Sequence, residues 1–293
     1  FARRLCDLGA RVRVPTTMNA ICVDRRQWRT QGVAKALGEG TEALAEAYVA
    51  MGAKPTFTCA PYLLYPAPRA GQRIAWGESN AVVFANSVLG ARTKYPDYLD
   101  VLVAITGRAP LADCYLDAGR KATVRFDLPP LEGLHDLFFP LLGYHLGKIA
   151  PNDIPLICGL DGHPVSHDDL KAFGAAFATT SAAPMFHMLG ITPEAMRPQA
   201  VLADGSGVVQ VQAADLAETW AELNIAKTPD VDLVSLGNPH FSFTEMAALA
   251  GLCAGRRKAD GVRLIVTCGR DVHARAQAAG LIDAIRAFGG EVL

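Results

Sequence analysis

Residues 231–293 read VDLVSLGNPHFSFTEMAALAGLC followed by AGRRKADGVRLIVTCGRDVHARAQAAGLIDAIRAFGGEVL. VDLVSLG and RLIVTCG are short β-branched runs, FTEMAALAGLC and the stretch Val272 to Phe288 have helical spacing, and EVL opens another strand. The resulting βαβαβ order predicts a parallel, doubly wound sheet. Working outward, IPLICGL is a strand, and SHDDLKAFGAAFATT is a helix with Ser166 as N-cap and Asp169 at the third helical position. PMFHMLGI then completes a βαβ step, with Pro193 at the first position of the next helix. The GxG at Gly205 to Gly207 reads as a hairpin turn and lacks the rest of a dinucleotide fingerprint, so a nicotinamide cofactor is discarded.

The N-terminal half is less regular. A short helix stops at Gly9, a strand covers Arg11 to Val14, and PTTMNA forms a small polar loop carrying Thr17 and Asn19. A helix over Thr41 to Met51 ends at Gly52, and a second short strand around Thr56 to Thr58 runs into Cys59. Prolines from Pro61 to Gly71 exclude regular structure there. After PPLEG comes an apolar helix ending at Gly147. The boundary between the halves falls near Ala150, giving an α/β unit over 1–150 and a second over 151–293. Phe1 stands where an initiator Met is absent and EVL breaks off as a strand begins, so the sequence is expected to be a piece of a longer chain.

With 293 residues, 51% of them apolar, and a formal net charge of -1, the chain is no nucleic-acid binder by bulk charge. No stretch reaches the length of a membrane span. Its seven cysteines have neither CxxC nor zinc-like spacing, which fits a reducing, cytoplasmic setting.

The chemistry concentrates at three places. The segment WGESNAVVFANSVLGART, Trp76 to Thr93, sets Ser79, Asn80, Asn86, Ser87, Arg92 and Thr93 among apolar residues. Such groups are costly to bury without a partner, so they line a polar pocket or, on the plainer reading, cap neighbouring turns of a core helix. LGNPHFS follows a strand and opens a helix at Ser242, with Glu245 as capping-box partner; its amides near His240 can face an anion or form a capped turn with His240 packed locally. Cys59 in TCAPY and Cys268 in TCGRDVH both stand at strand ends. They are either buried small residues or two thiolates able to hold iron. Cys6, Cys22, Cys114, Cys158 and Cys253 read as packing. Arg92 and Arg108 suit either a carboxylate clamp or surface ion pairs.

Taken together, PTTMN, TCAPY, AWGESNAVVFANSVLGART, ITGRAP, DDLKAFGAA, FHMLGITPEA and LGNPHFS, in this order, resemble the catalytic large region of aconitase X, a branch of the aconitase superfamily. The resemblance implies an aconitase-like α/β fold of two to three doubly wound units, with mainly parallel sheets, around a central cleft. It implies a hydro-lyase with an iron–sulfur cluster, of the 2Fe-2S kind, or a mononuclear iron. Cys59 and Cys268 would be the metal ligands, and a small swivelling domain, fused or a separate subunit, would close the cleft. Relatives that dehydrate phosphomevalonate carry a cysteine where this chain has Asn238, and the family has a further cysteine beyond the strand beginning at Glu291. Asn238, LGNPHFS and the TKYPDYLD loop look more like the bacterial members that convert cis-3-hydroxy-L-proline to Δ1-pyrroline-2-carboxylate in hydroxyproline catabolism. Thr17, Asn19, Ser79, Asn80, Asn86, Ser87, Arg92, Thr93 and His240 would then contact the small hydroxy acid. By analogy the proton-abstracting base lies in the swivelling domain, outside this chain. A dehydratase of another hydroxy acid, such as phosphomevalonate, and a catalytically incomplete binding domain are the alternatives.

Overall fold

The β-branched runs and helical repeats of the C-terminal segment fold in the order their spacing demands. In the computed structural model, which describes residues 1–19, 21–94 and 97–293, the strands are β1 (Thr17–Met18), β2 (Lys54–Pro55), β3 (Ala122–Asp127), β4 (Pro155–Cys158), β5 (His187–Met188), β6 (Leu202–Gln210), β7 (Leu233–Phe241), β8 (Arg263–Cys268) and β9 (Gly290–Val292). The helices are α1 (Ala2–Asp7), α2 (Lys35–Ala50), α3 (Ser79–Ser87), α4 (Leu99–Thr106), α5 (Phe138–Ile149), α6 (His167–Thr180), α7 (Pro198–Val201), α8 (Ala213–Leu223), α9 (Phe243–Cys253), α10 (Arg270–Ala278) and α11 (Leu281–Phe288). Every pairing of these strands is parallel, in sheets ordered β1-β2, β5-β4-β3-β6 and β7-β8-β9. The protein is therefore α/β, as its alternation predicts.

The chain forms two compact units. The first comprises Phe1–Leu64, Tyr98–Ala109 and Asp230–Leu293; the second comprises Tyr65–Asp97 and Pro110–Pro229. In the first, the β7-β8-β9 sheet buries Leu264, Val266 and Val292 against Met246, Val272, Ala276, Ile282 and Ile285 of the flanking helices. Met18, Ala45 and Ala53 make a smaller cluster between β1 and α2. In the second, Phe173 and Phe186 pack edge to face at 4.6 Å, among fully buried Phe126, Leu142, Leu146, Leu156, Ile157 and Phe177. Helices α5 and α6 approach closely because Gly143 faces the Phe173 carbonyl, leaving no room for a Cβ.

Several expectations change. The sheet joins β3 to β4 by pairing Val124 with Pro155 and Asp127 with Cys158, so a division at residue 150 would cut one sheet in two. Arg11 to Val14 is not a strand; pairing falls instead on Thr17 and Met18, opposite Lys54 and Pro55. The Gly205 to Gly207 segment is not a hairpin turn but a bulge within parallel β6, where the register with β3 jumps from Ala122↔Leu202 to Val124↔Gly207 and the Ser206 hydroxyl donates to the Ala122 carbonyl at 3.0 Å. Pro193 lies in a turn, and Pro198 takes the first helical position. The stretch from Val272 to Phe288 is divided at Gly280, whose φ of 74° interrupts the helix between α10 and α11. The TKYPDYLD comparison includes Tyr95 and Pro96, which with Ala20 lie outside the described residues.

Candidate active site

In the second unit the apolar repeat of Ala81 to Ala85 drives α3 into the core, carrying Asn86 and Ser87 with it. Asn86 is fully buried. Its amide nitrogen donates to the carbonyls of Thr93 at 2.7 Å and Pro184 at 3.0 Å, and its oxygen accepts from Thr93 N at 3.0 Å and an Arg120 guanidinium nitrogen at 3.1 Å. Arg120, 3% exposed, also meets both Glu194 carboxylate oxygens at distances down to 2.7 Å. Ser87 Oγ accepts from Phe186 N at 2.9 Å, and Thr93 Oγ1 from Trp76 N at 3.1 Å. Asn86, Ser87 and Thr93 thus spend polar groups on the backbone of this unit. Arg92 donates to the Tyr115 carbonyl at 2.9 Å and bonds Asp117, holding that carboxyl below the usual carboxylate range. Arg92, expected as a carboxylate clamp, is engaged here by Tyr115 and Asp117.

His187 belongs to this network. Its Nε2 bonds the Arg120 carbonyl at 2.7 Å, so that nitrogen carries the hydrogen, and burial lowers the imidazole pKa. Ser79 and Asn80 differ from Asn86. They form the first turn of α3, Ser79 is exposed, Asn80 bonds Glu78, and no side chain caps the helix. The amides of that turn have the polarity that suits a carboxylate.

The first unit carries the thiols. Within β7, where the register with β8 breaks between Leu236 and Phe241 to form an irregular loop, Gly237 has φ 98° and faces the Thr267 carbonyl so closely that only glycine fits, and the following Asn238–Pro239 bond is cis. Two threonines, each preceding a candidate cysteine, fasten this loop. Thr267 Oγ1 donates to the Gly237 carbonyl at 2.7 Å, and Thr58 Oγ1 lies 3.0 Å from His240 Nδ1. Thr58 Oγ1 also accepts from Ala60 N at 3.1 Å. The Thr58 hydroxyl thus ties the His240 ring to the turn at Ala60.

The His240 backbone N–H donates to Cys59 Sγ at 3.2 Å, a contact that favours thiolate. Phe241 pairs in register with Cys268, and Gly269 packs against Thr58, where a Cβ would lie 3.3 Å from the hydroxyl. The loops bearing Cys59, Cys268 and His240 therefore form one neighbourhood, as required of ligands to one metal. Cys268 is buried, and burial pushes its thiol up to about 11. Among the described residues no group of three His, Cys, Asp or Glu could by itself hold a metal ion. Cys59 and Cys268 fit as a pair of thiolate donors and not as a complete set. Thr17 is exposed on β1 and Asn19 half-buried just after it. Arg108 is exposed beyond α4. Cys22, expected to pack, is exposed. Thr58 and Arg120 were missed by the sequence reading; the repeated Thr-Cys dipeptide was an available signal for the first, and nothing local marks the second.

Family models match along the chain: the aconitase X first domain over residues 1–118, second domain over 122–221 and third domain over 231–293. Among curated relatives, the chain is 53% identical over its whole length to a cis-3-hydroxy-L-proline dehydratase of Pseudomonas aeruginosa and 52% identical to one of Hypocrea jecorina, covering 51% and 50% of those proteins. It thus spans about half the length of these relatives. A phosphomevalonate dehydratase large subunit of Methanothermobacter thermautotrophicus is 38% identical over 97% of the chain, which covers 69% of that protein. The crystal structure of Thermococcus kodakaraensis aconitase X in its holo form superposes with a TM-score of 0.89 at 32% identity, covering all of this chain and 72% of that one. No helix among the described residues is long and apolar enough to cross a membrane.

Proposed function

This chain belongs to the aconitase X family, and from that premise we propose that it carries the metal-binding part of a cis-3-hydroxy-L-proline dehydratase. The observation that carries the reading is identity above 50% along the whole chain to two proteins of that name, against 38% to a phosphomevalonate dehydratase large subunit. Asn238 in the β7 loop supports the same choice.

Cys59 and Cys268 would hold an iron–sulfur cluster or a single iron, with further ligands from outside these 293 residues. Iron there supplies a Lewis acid that helps hydroxide depart from a substrate carbon. The rest of the work falls to the protein. Thr58 holds the His240 ring in place through Nδ1. The N–H of His240 supports the Cys59 thiolate. Thr17 and Asn19 supply polar groups for the ring nitrogen or hydroxyl. The proton beside the substrate carboxylate passes to a base from a swivelling small domain, consistent with relatives named as large subunits.

The test uses full-length protein purified without oxygen and assayed with cis-3-hydroxy-L-proline. Formation of Δ1-pyrroline-2-carboxylate, abolished together with bound iron by Cys59→Ala, is expected. Dehydration of phosphomevalonate in place of hydroxyproline would overturn the substrate, and an iron content near zero without turnover would leave a binding domain.

A further inference from the structure

A cleft of about 350 Å³ in the first unit is lined by Arg25, Arg26, Glu42, Pro55, Phe57 and Arg270. Three guanidinium groups around one cleft repel one another unless an anion joins them. The acids nearby do not fill that place. Glu42 accepts from the Trp28 indole at 2.8 Å and from Arg29 at 3.2 Å, and those bonds hold its carboxyl below the usual range. Asp24 accepts from the Arg26 backbone N–H at 2.7 Å. Among the described residues Arg25 reaches only the carboxylate of Glu46, at 3.7 Å, and its Nε is buried without a hydrogen-bond partner. Among the described residues, neither Arg26 nor Arg270 pairs with a carboxylate.

The floor of the cleft is the Phe57 ring, with the guanidinium carbons of Arg25 and Arg270 at 5.5 and 6.0 Å from its centroid. Phe57 is held at φ 46°, in the left-handed region that non-glycine residues seldom adopt, with its N–H on the Met18 carbonyl at 2.8 Å. Phe57 lies two positions before Cys59, and Arg270 two after Cys268.

We infer that this cleft is a carboxylate subsite, in which the forks of Arg25, Arg26 and Arg270 take the single carboxylate of a small cyclic amino acid whose ring lies on Phe57. A guanidinium fork matches two carboxylate oxygens, and the volume suits a ligand of that size. It supplies the cationic clamp that Arg92, tied to Asp117, does not. The identity of the ring rests on the proposed substrate; the anion site rests on the cleft itself.

The full-length protein is titrated with L-proline and with L-prolinamide, which keeps the ring and lacks the carboxylate, by ligand-observed NMR. Arg26→Gln and Arg270→Gln should each weaken L-proline about tenfold, the loss of one charge-assisted bond, and raise KM for cis-3-hydroxy-L-proline by the same factor with kcat unchanged. Arg263→Gln, at an exposed pair with Glu291, should change neither. Prolinamide binding as tightly as proline, or unchanged proline affinity in both cleft variants, would overturn the subsite. Proline binding that depends on Arg26 and Arg270 without any turnover of hydroxyproline would sustain the subsite and remove the substrate reading.

Discussion

Asn86 sits at the centre of four hydrogen bonds, and its loss takes one partner from the Arg120 guanidinium and removes the side-chain contact of three backbone groups, Thr93 N–H and the carbonyls of Thr93 and Pro184. Asn86→Ala should therefore destabilise the protein by about 3 kcal/mol, the scale for breaking a buried charged network, read from the urea midpoint; a loss under about 1 kcal/mol would argue for a ligand-lining role instead. The sequence exposed Asn86 as a buried amide but not its partner, because Arg120 lies 34 residues away and a long-range contact leaves no periodicity. Arg25, Arg26 and Arg270 escaped notice for the same reason. Thr58 acts through His240: Thr58→Val removes the hydroxyl bonded to Nδ1 and frees the ring to turn. The kcat of the full-length enzyme should then fall, with iron content unchanged. For Cys268, burial raises the folded thiol from 9.0 to about 11. The fold favours the neutral thiol, so its contribution is complete below about pH 9 and is lost as pH rises toward 11. In metal-free protein the melting temperature should fall less over that range in Cys268→Ala than in the unaltered chain.

At the level of elements, the parallel strands and their helices were legible wherever a run had its own boundary signals. Ser242 and Glu245 close a reciprocal capping box at the start of α9, as Ser166 and Asp169 do for α6, and both were readable from spacing alone. Ser242→Ala should cost about 1 kcal/mol in thermal or urea unfolding. Gly237→Ala is expected to cost more, about 2 kcal/mol or above, since it combines a φ of 98° with a collision against the Thr267 carbonyl; iron content in the full-length protein should fall with it, because that loop carries His240. β6 was not legible. Its glycines and Ser206 look like a turn, and only pairing with β3, far earlier in the chain, makes them a bulge. Short β1, β2 and β5 gave equally little, as two-residue strands have no alternation to read.

For the molecule as a whole, local signals could not reveal which segments combine. The first unit gathers Phe1–Leu64 with Asp230–Leu293, and the second is inserted between them with one short return through Tyr98–Ala109. Fragments 1–150 and 151–293 should therefore fail as separate proteins, the first holding β3 without β4 and Cys59 without the β7 loop. Amide exchange of each fragment alone should show little protection, and mixing the two should restore it in part. The same discontinuity sets a timetable during translation. Residues 1–64 leave the ribosome ahead of their partners from Asp230 onward, which emerge only after another 165 or so residues, roughly 10 to 30 s later at ordinary elongation speeds. Meanwhile the inserted unit can be completed. Residues 1–64 are thus made before the inserted unit yet settle after it, and they must be shielded from neighbours for that interval.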